Sequence, residues 1–202
     1  SVLDLIPSSI EYLQSNYSHI TVIFFTLISL LFGVYLSYFM DKKVDKISNG
    51  SNLFKVGILS MIAIILHNIP EGIVTFIVTN KNIFLGISLC IAIAMHNIPE
   101  GISIAVPIYY STKSKFKAIL YTLISAISEP LGAFLTYLFI EKFINNTSLG
   151  LLFSFIAGIM IQISLNKLLP TSSSYNKKST ITFFIIGFIF MTISLLLNSL
   201  IS

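Results

Sequence analysis

Arginine and tryptophan are absent from this 202-residue chain, cysteine occurs once, and only 10% of the residues are charged. Each scarcity excludes something. Without arginine there is no guanidinium fork to grip phosphate, and the twelve lysines are spread along the chain, mostly in loops. The net charge of +4 therefore does not describe a nucleic-acid surface. The single cysteine, Cys90, excludes an intrachain disulfide and a cysteine-rich metal site, and reads as a small apolar filler. The charges are also too few for a soluble domain of this size, which needs about a quarter of its residues charged to cover a water-facing surface.

Apolar residues make up 55% of the chain and fall in runs of roughly twenty, the length that crosses a hydrocarbon core as a helix. The sequence predicts an all-α, polytopic transmembrane bundle, a single membrane domain over 1–202 with the lipid bilayer as its main partner. Six full spans are expected, at about 20–40, 56–79, 83–110, 118–140, 149–169 and 180–201, after a stub at 1–12. The stub begins Ser-Val-Leu-Asp-Leu-Ile-Pro, without the basic start or apolar length of a signal peptide. It reads as the end of a helix begun earlier, so an N-terminally truncated fragment is expected.

Lysine placement sets the expected orientation. Lys42, Lys43, Lys46, Lys55, Lys113, Lys115, Lys117, Lys177 and Lys178 fall in or beside alternate connections, against Lys81 and Lys142 in the others. The positive-inside rule puts the lysine-rich connections, including the loop 41–54, in the cytoplasm and the C-terminus outside. A short likeness, Ser1-x-x-x-Leu5-Ile6-Pro7 against Ser164-x-x-x-Leu168-Leu169-Pro170, hints at an internal repeat of the kind common in transporters.

Most acidic residues sit at span ends or in loops, but Glu71, Glu100 and Glu129 lie deep within spans, as do His67 and His96. An ionisable group in hydrocarbon costs roughly 2.5–3.5 kcal/mol even on lenient scales, and a bound cation compensates several carboxylates at once. His67 and Glu71 are four residues apart, as are His96 and Glu100, so each pair shares one helix face. Asn68 and Asn97 add neutral oxygens. Pro70 and Pro99 leave the carbonyls of Leu66 and Met95 without their helical donors, and kinks are expected there. The midpoint of 67 and 96 falls at 81.5, inside the turn 80–82, which sets the histidines at equal depth. The midpoint of 100 and 129, at 114.5, likewise brings Glu129 level with Glu100. Imidazole, carboxylate and amide oxygen without thiolate suit Zn²⁺, Fe²⁺, Mn²⁺ or Co²⁺.

His67-Asn68-Ile69-Pro70-Glu71-Gly72 and His96-Asn97-Ile98-Pro99-Glu100-Gly101 together resemble the paired signature of the ZIP family of zinc/iron permeases, nearest to its bacterial members. The resemblance runs over essentially the whole chain and implies an eight-helix 3+2+3 fold with inverted repeats, here lacking the first helix and most of the second. It implies import of Zn²⁺, and of Fe²⁺, Mn²⁺, Co²⁺ or Cd²⁺, into the cytoplasm across the cell membrane by alternating access, with the metal as cargo and no separate cofactor. It implies a binuclear site held by His67, Asn68, Glu71, His96, Asn97 and Glu100, with Glu129 matching the sixth-helix glutamate. A homodimer is one assembly left open. This chain departs from the family in carrying Asn166-Lys167 where acidic residues usually precede Leu-x-Pro, and its loop 41–54 lacks histidines.

Two other classes compete. A membrane metalloenzyme would use histidine and glutamate to activate water on zinc, but His-Glu-x-x-His is absent and three histidines cannot build a multi-histidine box. No enzyme is expected. A metal-sensing or scaffolding protein would carry the same residues and differ in lacking flux. The metal gradient, the membrane potential and a proton gradient fit the donor set equally well as driving forces.

Overall fold

The computed structural model describes residues 2–45, 52–81, 83–140 and 145–201; the side chains of some of these, His96 among them, lie outside the described set. Helices account for nearly all of it, with no strand among the described residues. They are α1 (Val2–Gln14), α2 (His19–Asp45), α3 (Asn52–Lys81), α4 (Ile83–Thr112), α5 (Lys115–Leu135), α6 (Asn146–Ile163) and α7 (Leu169–Ile201). π-helical turns at Thr136–Ile140 and Ser164–Leu168 extend α5 and α6. The second precedes Pro170, whose ring would press on the carbonyl of Asn166 in a regular helix; widening the turn relieves that clash.

The expected boundaries move outward. α2 continues to Asp45 and α3 starts at Asn52, so the ends of the loop expected at 41–54 are helical, and 46–51 lie outside the described residues. The connection between α4 and α5 is tight: Lys113 takes a left-handed φ of 55°, and Ser114 caps α5 by accepting from Lys117 N at 3.3 Å. Asn145 and Ser148 cap α6 reciprocally.

α3 and α4 differ from α7 in their continuity. α3 and α4 stay helical through Pro70 and Pro99, the positions where kinks are expected. α7 is interrupted at Asn176 (φ −160°, ψ 102°), within the connection expected between the spans ending at 169 and starting at 180, and its Oδ1 accepts from Ser179 N and restarts the helix. Ser172 Oγ and Thr180 Oγ1 stand 2.9 Å apart, although eight residues of straight helix would separate them by about 12 Å. The chain therefore folds back at Asn176.

Among the described residues, four helical stretches are long and apolar enough to cross a membrane: His19–Lys43, Asn52–Asn80, Lys115–Leu138 and Asn146–Phe190. The last, at 45 residues, is long enough for two crossings about the fold at Asn176. α2 turns Ile20, Ile23, Phe24, Leu27 and Leu31 outward, as a lipid-facing helix does.

α3 is central, packing on α4, α5 and α6, while α2 and α1 pack on α6. Ile58, Leu59 and Ala63 of α3 meet Ile104, Ile108, Ile159 and Ile163 in the main core. Two crossings are backbone to backbone. A Cβ on Gly72 would strike the carbonyl oxygen of Glu129, and one on Gly132 that of Ile69, so α3 and α5 touch without side chains between them. Gly33 against Phe155 and Gly158 against Leu30 do the same for α2 and α6.

Candidate metal centre

α3 carries His67, Asn68 and Glu71 one turn apart, just where its glycine crossing with α5 begins. His67 is wholly buried, with Asn68 at 3% and Glu71 at 8% exposure. α4 brings Asn97 and Glu100, and α5 brings Glu129. His96 lies on α4 by its backbone; its side chain is outside the described set, so the facing of the two histidines is left to the sequence.

His67 Nε2 stands 3.5 Å from Glu71 Oε1 and 3.7 Å from Glu100 Oε1. Donors held about 2.0–2.1 Å from a tetrahedral ion are about 3.3 Å apart, so both separations are within a few tenths of an ångström of a zinc edge. Among the described residues, no group of three or more His, Cys, Asp and Glu side chains closes into a site that holds an ion by itself. The remaining donors are amides.

The two asparagines are turned the same way. Asn68 Nδ2 donates to the carbonyl oxygen of Ser125 at 3.2 Å, and Asn97 Nδ2 donates to Glu129 Oε2 at 2.8 Å. Each amide thus spends its N–H on α5, and each Oδ1 is buried without a hydrogen-bond partner among the described residues. Both oxygens of Glu100 are in the same condition. Buried oxygens left in this way cost free energy unless a cation meets them. Asn68, Asn97 and Glu100 line one cavity of about 60 Å³ with Thr122 and Ser125. The chemistry offered is that of an oxygen-rich cation site with one described imidazole at its edge.

Glu100 also faces a second cavity of about 230 Å³, lined by Ser60, Ser103, Met160 and Ser164. Ser60, Ser103 and Ser164 lie on the side of the site toward the lysine-rich connections. Beyond it, toward the same end, Ser103 lines a cavity of about 320 Å³ with Leu53, Pro107 and Tyr175. Away from that end, the Gly72 and Gly132 crossing closes α3 on α5.

Sequence reasoning grouped His67, Glu71 and Glu100 and brought Glu129 to α4, and the structure brings these together. It missed Ser125, Thr122 and Ser60. The signal for the first two was present: Thr122, Ser125 and Glu129 recur at helical spacing, a polar stripe along an apolar span.

A family model described as ZIP Zinc transporter matches residues 45–195. A zinc transporter ZupT from Clostridium perfringens is 46% identical over 72% of this chain and 51% of its own length. One from Streptococcus mutans is 35% identical over 98% of the chain and 80% of its own length, and one from Chlorobium chlorochromatii is 37% identical over 85% and 71%. The aligned part spans about half the length of the Clostridium relative. No solved structure matches the chain.

Proposed function

Because this chain belongs to the ZIP zinc transporter family, we propose that it moves divalent transition-metal ions across the cell membrane, zinc foremost and Fe²⁺, Mn²⁺, Co²⁺ or Cd²⁺ by the same donors. One observation carries the reading: His67, Asn68, Glu71, Asn97, Glu100 and Glu129 converge from three helices at mid-span, with amide and carboxylate oxygens turned into a buried cavity. Such a donor set in hydrocarbon is a cation site that must also let its ion go. The ion is cargo here, and no catalytic role follows.

The site suits two ions. His67, Glu71 and Glu100, which need a further donor to close on an ion, mark one position; Asn68, Asn97, Glu100 and Glu129 mark the other. Glu100 faces both and is placed to bridge. His96, the motif's second imidazole, completes the set.

Alternating access is supported by the way the helices lock. α3 and α5 are joined through Gly72 and Gly132, and α2 and α6 through Gly33 and Gly158. Motion then concentrates at the apolar seam between the pairs, where Ile58 and Leu59 meet Ile159 and Ile163. The cavity beside Glu100 lies toward the lysine-rich end and a second, lined by Ser103, lies beyond it, which supports access from that end in this arrangement. With the lysine-rich connections cytoplasmic and the C-terminus external, this is the releasing state of an importer. The outward apolar stripe Ile87, Ile91, Ile98 and Ile102 on α4 suits a homodimer contact or lipid alike.

The test is uptake of radiolabelled zinc into proteoliposomes holding the full-length protein. Saturable uptake, lost in His67→Ala and Glu100→Ala, is expected. Bound zinc without flux would make the protein a sensor instead.

A further inference from the structure

Away from the metal centre, buried charge among the described residues gathers at one place. Asp41, near the end of α2, is 9% exposed and Lys55, near the start of α3, is 8% exposed. Asp41 Oδ1 stands 2.6 Å from Lys55 Nζ, and Asp41 Oδ2 stands 2.6 Å from Lys167 Nζ, in the π-helical turn after α6. Each carboxylate oxygen has its own lysine, so either contact survives loss of the other.

The three residues divide unequally between the two glycine-locked pairs. Asp41 and Lys167 belong to the α2–α6 pair, and Lys55 belongs to the α3–α5 pair. One contact thus lies within a pair, and the other crosses the seam. If Lys55 were the only partner, parting the pairs would strand a carboxylate in a poorly solvated place, which is strongly unfavourable. With Lys167 present, Asp41 keeps a counterion when Lys55 leaves. Lys55 sits in the first turn of α3, where its long stem would let the ammonium reach water once the pairs part.

We propose that Asp41, Lys55 and Lys167 form a releasable latch across the seam: Lys55–Asp41 holds the arrangement seen here, and Lys167 is the resident counterion that makes release reversible. The proposal rests on the alternating movement described above. It gives a role to the lysine of Asn166-Lys167, the pair that the transport reading leaves unused. Because two cations compete for one anion, removing one or the other has opposite effects. Lys55→Gln removes the tie across the seam and shifts the population away from this arrangement. Lys167→Gln leaves Lys55 as the carboxylate's remaining partner and tightens the tie.

The experiment uses the full-length protein carrying Cys90→Ser and Ser103→Cys, since Ser103 lines both cavities on the lysine-rich side. A membrane-impermeant maleimide added from that side reads how often those cavities are reachable. Lys55→Gln is expected to slow labelling about fivefold and Lys167→Gln to speed it, while Lys55→Arg and Lys167→Arg, which keep the charge, stay near the parent rate. Shifts of the same sign in the two glutamine variants, or none in either, overturn the latch. Opposed shifts in a protein without zinc flux uphold the latch and overturn the transport reading. Same-sign shifts with normal flux overturn the latch alone.

Discussion

Asn97 donates from Nδ2 to Glu129 Oε2 at 2.8 Å, a bond between α4 and α5 that decides which atom of the amide faces the cavity. Under the proposed function Glu129 acts in two ways, as a negative charge beside the metal site and as the group that aims Asn97 Oδ1 inward. Glu129→Gln separates them, since a glutamine oxygen still accepts from Asn97 while the charge is gone. Zinc affinity, measured by equilibrium dialysis of the purified protein, is expected to fall about tenfold in Glu129→Gln and further in Glu129→Leu, which loses both. Equal affinities in the two variants would show that aiming the amide contributes nothing.

Asn97→Asp puts a carboxylate where the amide donates to Glu129. Two carboxylates in contact repel unless a proton or a cation lies between them. The metal-free protein is expected to melt at a lower temperature than the parent, and the rise in melting temperature on adding zinc to be larger. Thermal unfolding with and without zinc checks both signs; a smaller zinc-induced rise would remove Asn97 from the site.

The glycine crossings make a prediction about stability. Gly72→Ala and Gly132→Ala each drive a methyl group into a backbone carbonyl that no rotamer change can clear, and each is expected to cost about 1–3 kcal/mol. Gly187, in α7, has nothing within 4 Å of an added Cβ, so Gly187→Ala is the control and is expected to be neutral or to stabilise by about 0.4–1 kcal/mol. Denaturant unfolding in detergent measures all three. A Gly132→Ala protein as stable as the control would refute the backbone contact.

How much of this was legible in the sequence depends on what each feature obeys. The site was legible because burying charge in hydrocarbon is so costly that Glu71, Glu100 and His67 mark themselves, and because antiparallel helices joined by short turns align by counting. Glu129 was placed beside α4 for the same reason. The interruption at Asn176 was legible as a connection, because the polar stretch 171–180 stands between two apolar runs, although the structure keeps helix on either side of a single residue. The continuity through Pro70 and Pro99 was legible in the apolar runs on either side of them. A missing donor weakens a helix locally, but packing on both sides of α3 holds it helical there. Lys167 was noticed only as a departure from the family; its partner Asp41 lies 126 positions away in sequence, at a junction of three helices that no spacing rule addresses.

The orientation inferred from lysine placement predicts a sided labelling pattern. In a Cys90→Ser background, single cysteines at Lys115, at the start of α5, and at Asn80, at the end of α3, stand at opposite ends of the bundle. In intact cells an impermeant maleimide is expected to label Asn80→Cys and to reach Lys115→Cys only after the membrane is opened. The reverse pattern would invert the transporter and turn the proposed importer into an exporter.

The donor set predicts the appearance of the bound metal as well. His67 Nε2 with Glu71 and Glu100 at 3.5 and 3.7 Å leaves room for a tetrahedral ion with nitrogen and oxygen ligands and without sulfur. Met160 lines the neighbouring cavity, and Cys90 is exposed on α4. X-ray absorption of the zinc-loaded protein is expected to show nitrogen and oxygen scatterers near 2.0 Å, an imidazole signature, and no scatterer near the 2.3 Å of a zinc–sulfur bond. His67→Ala is expected to weaken the imidazole signature while leaving the oxygen shell, since the two asparagine amides are held from α5 independently of it. An unchanged imidazole signal in that variant would move the ion away from His67 and onto the second motif alone.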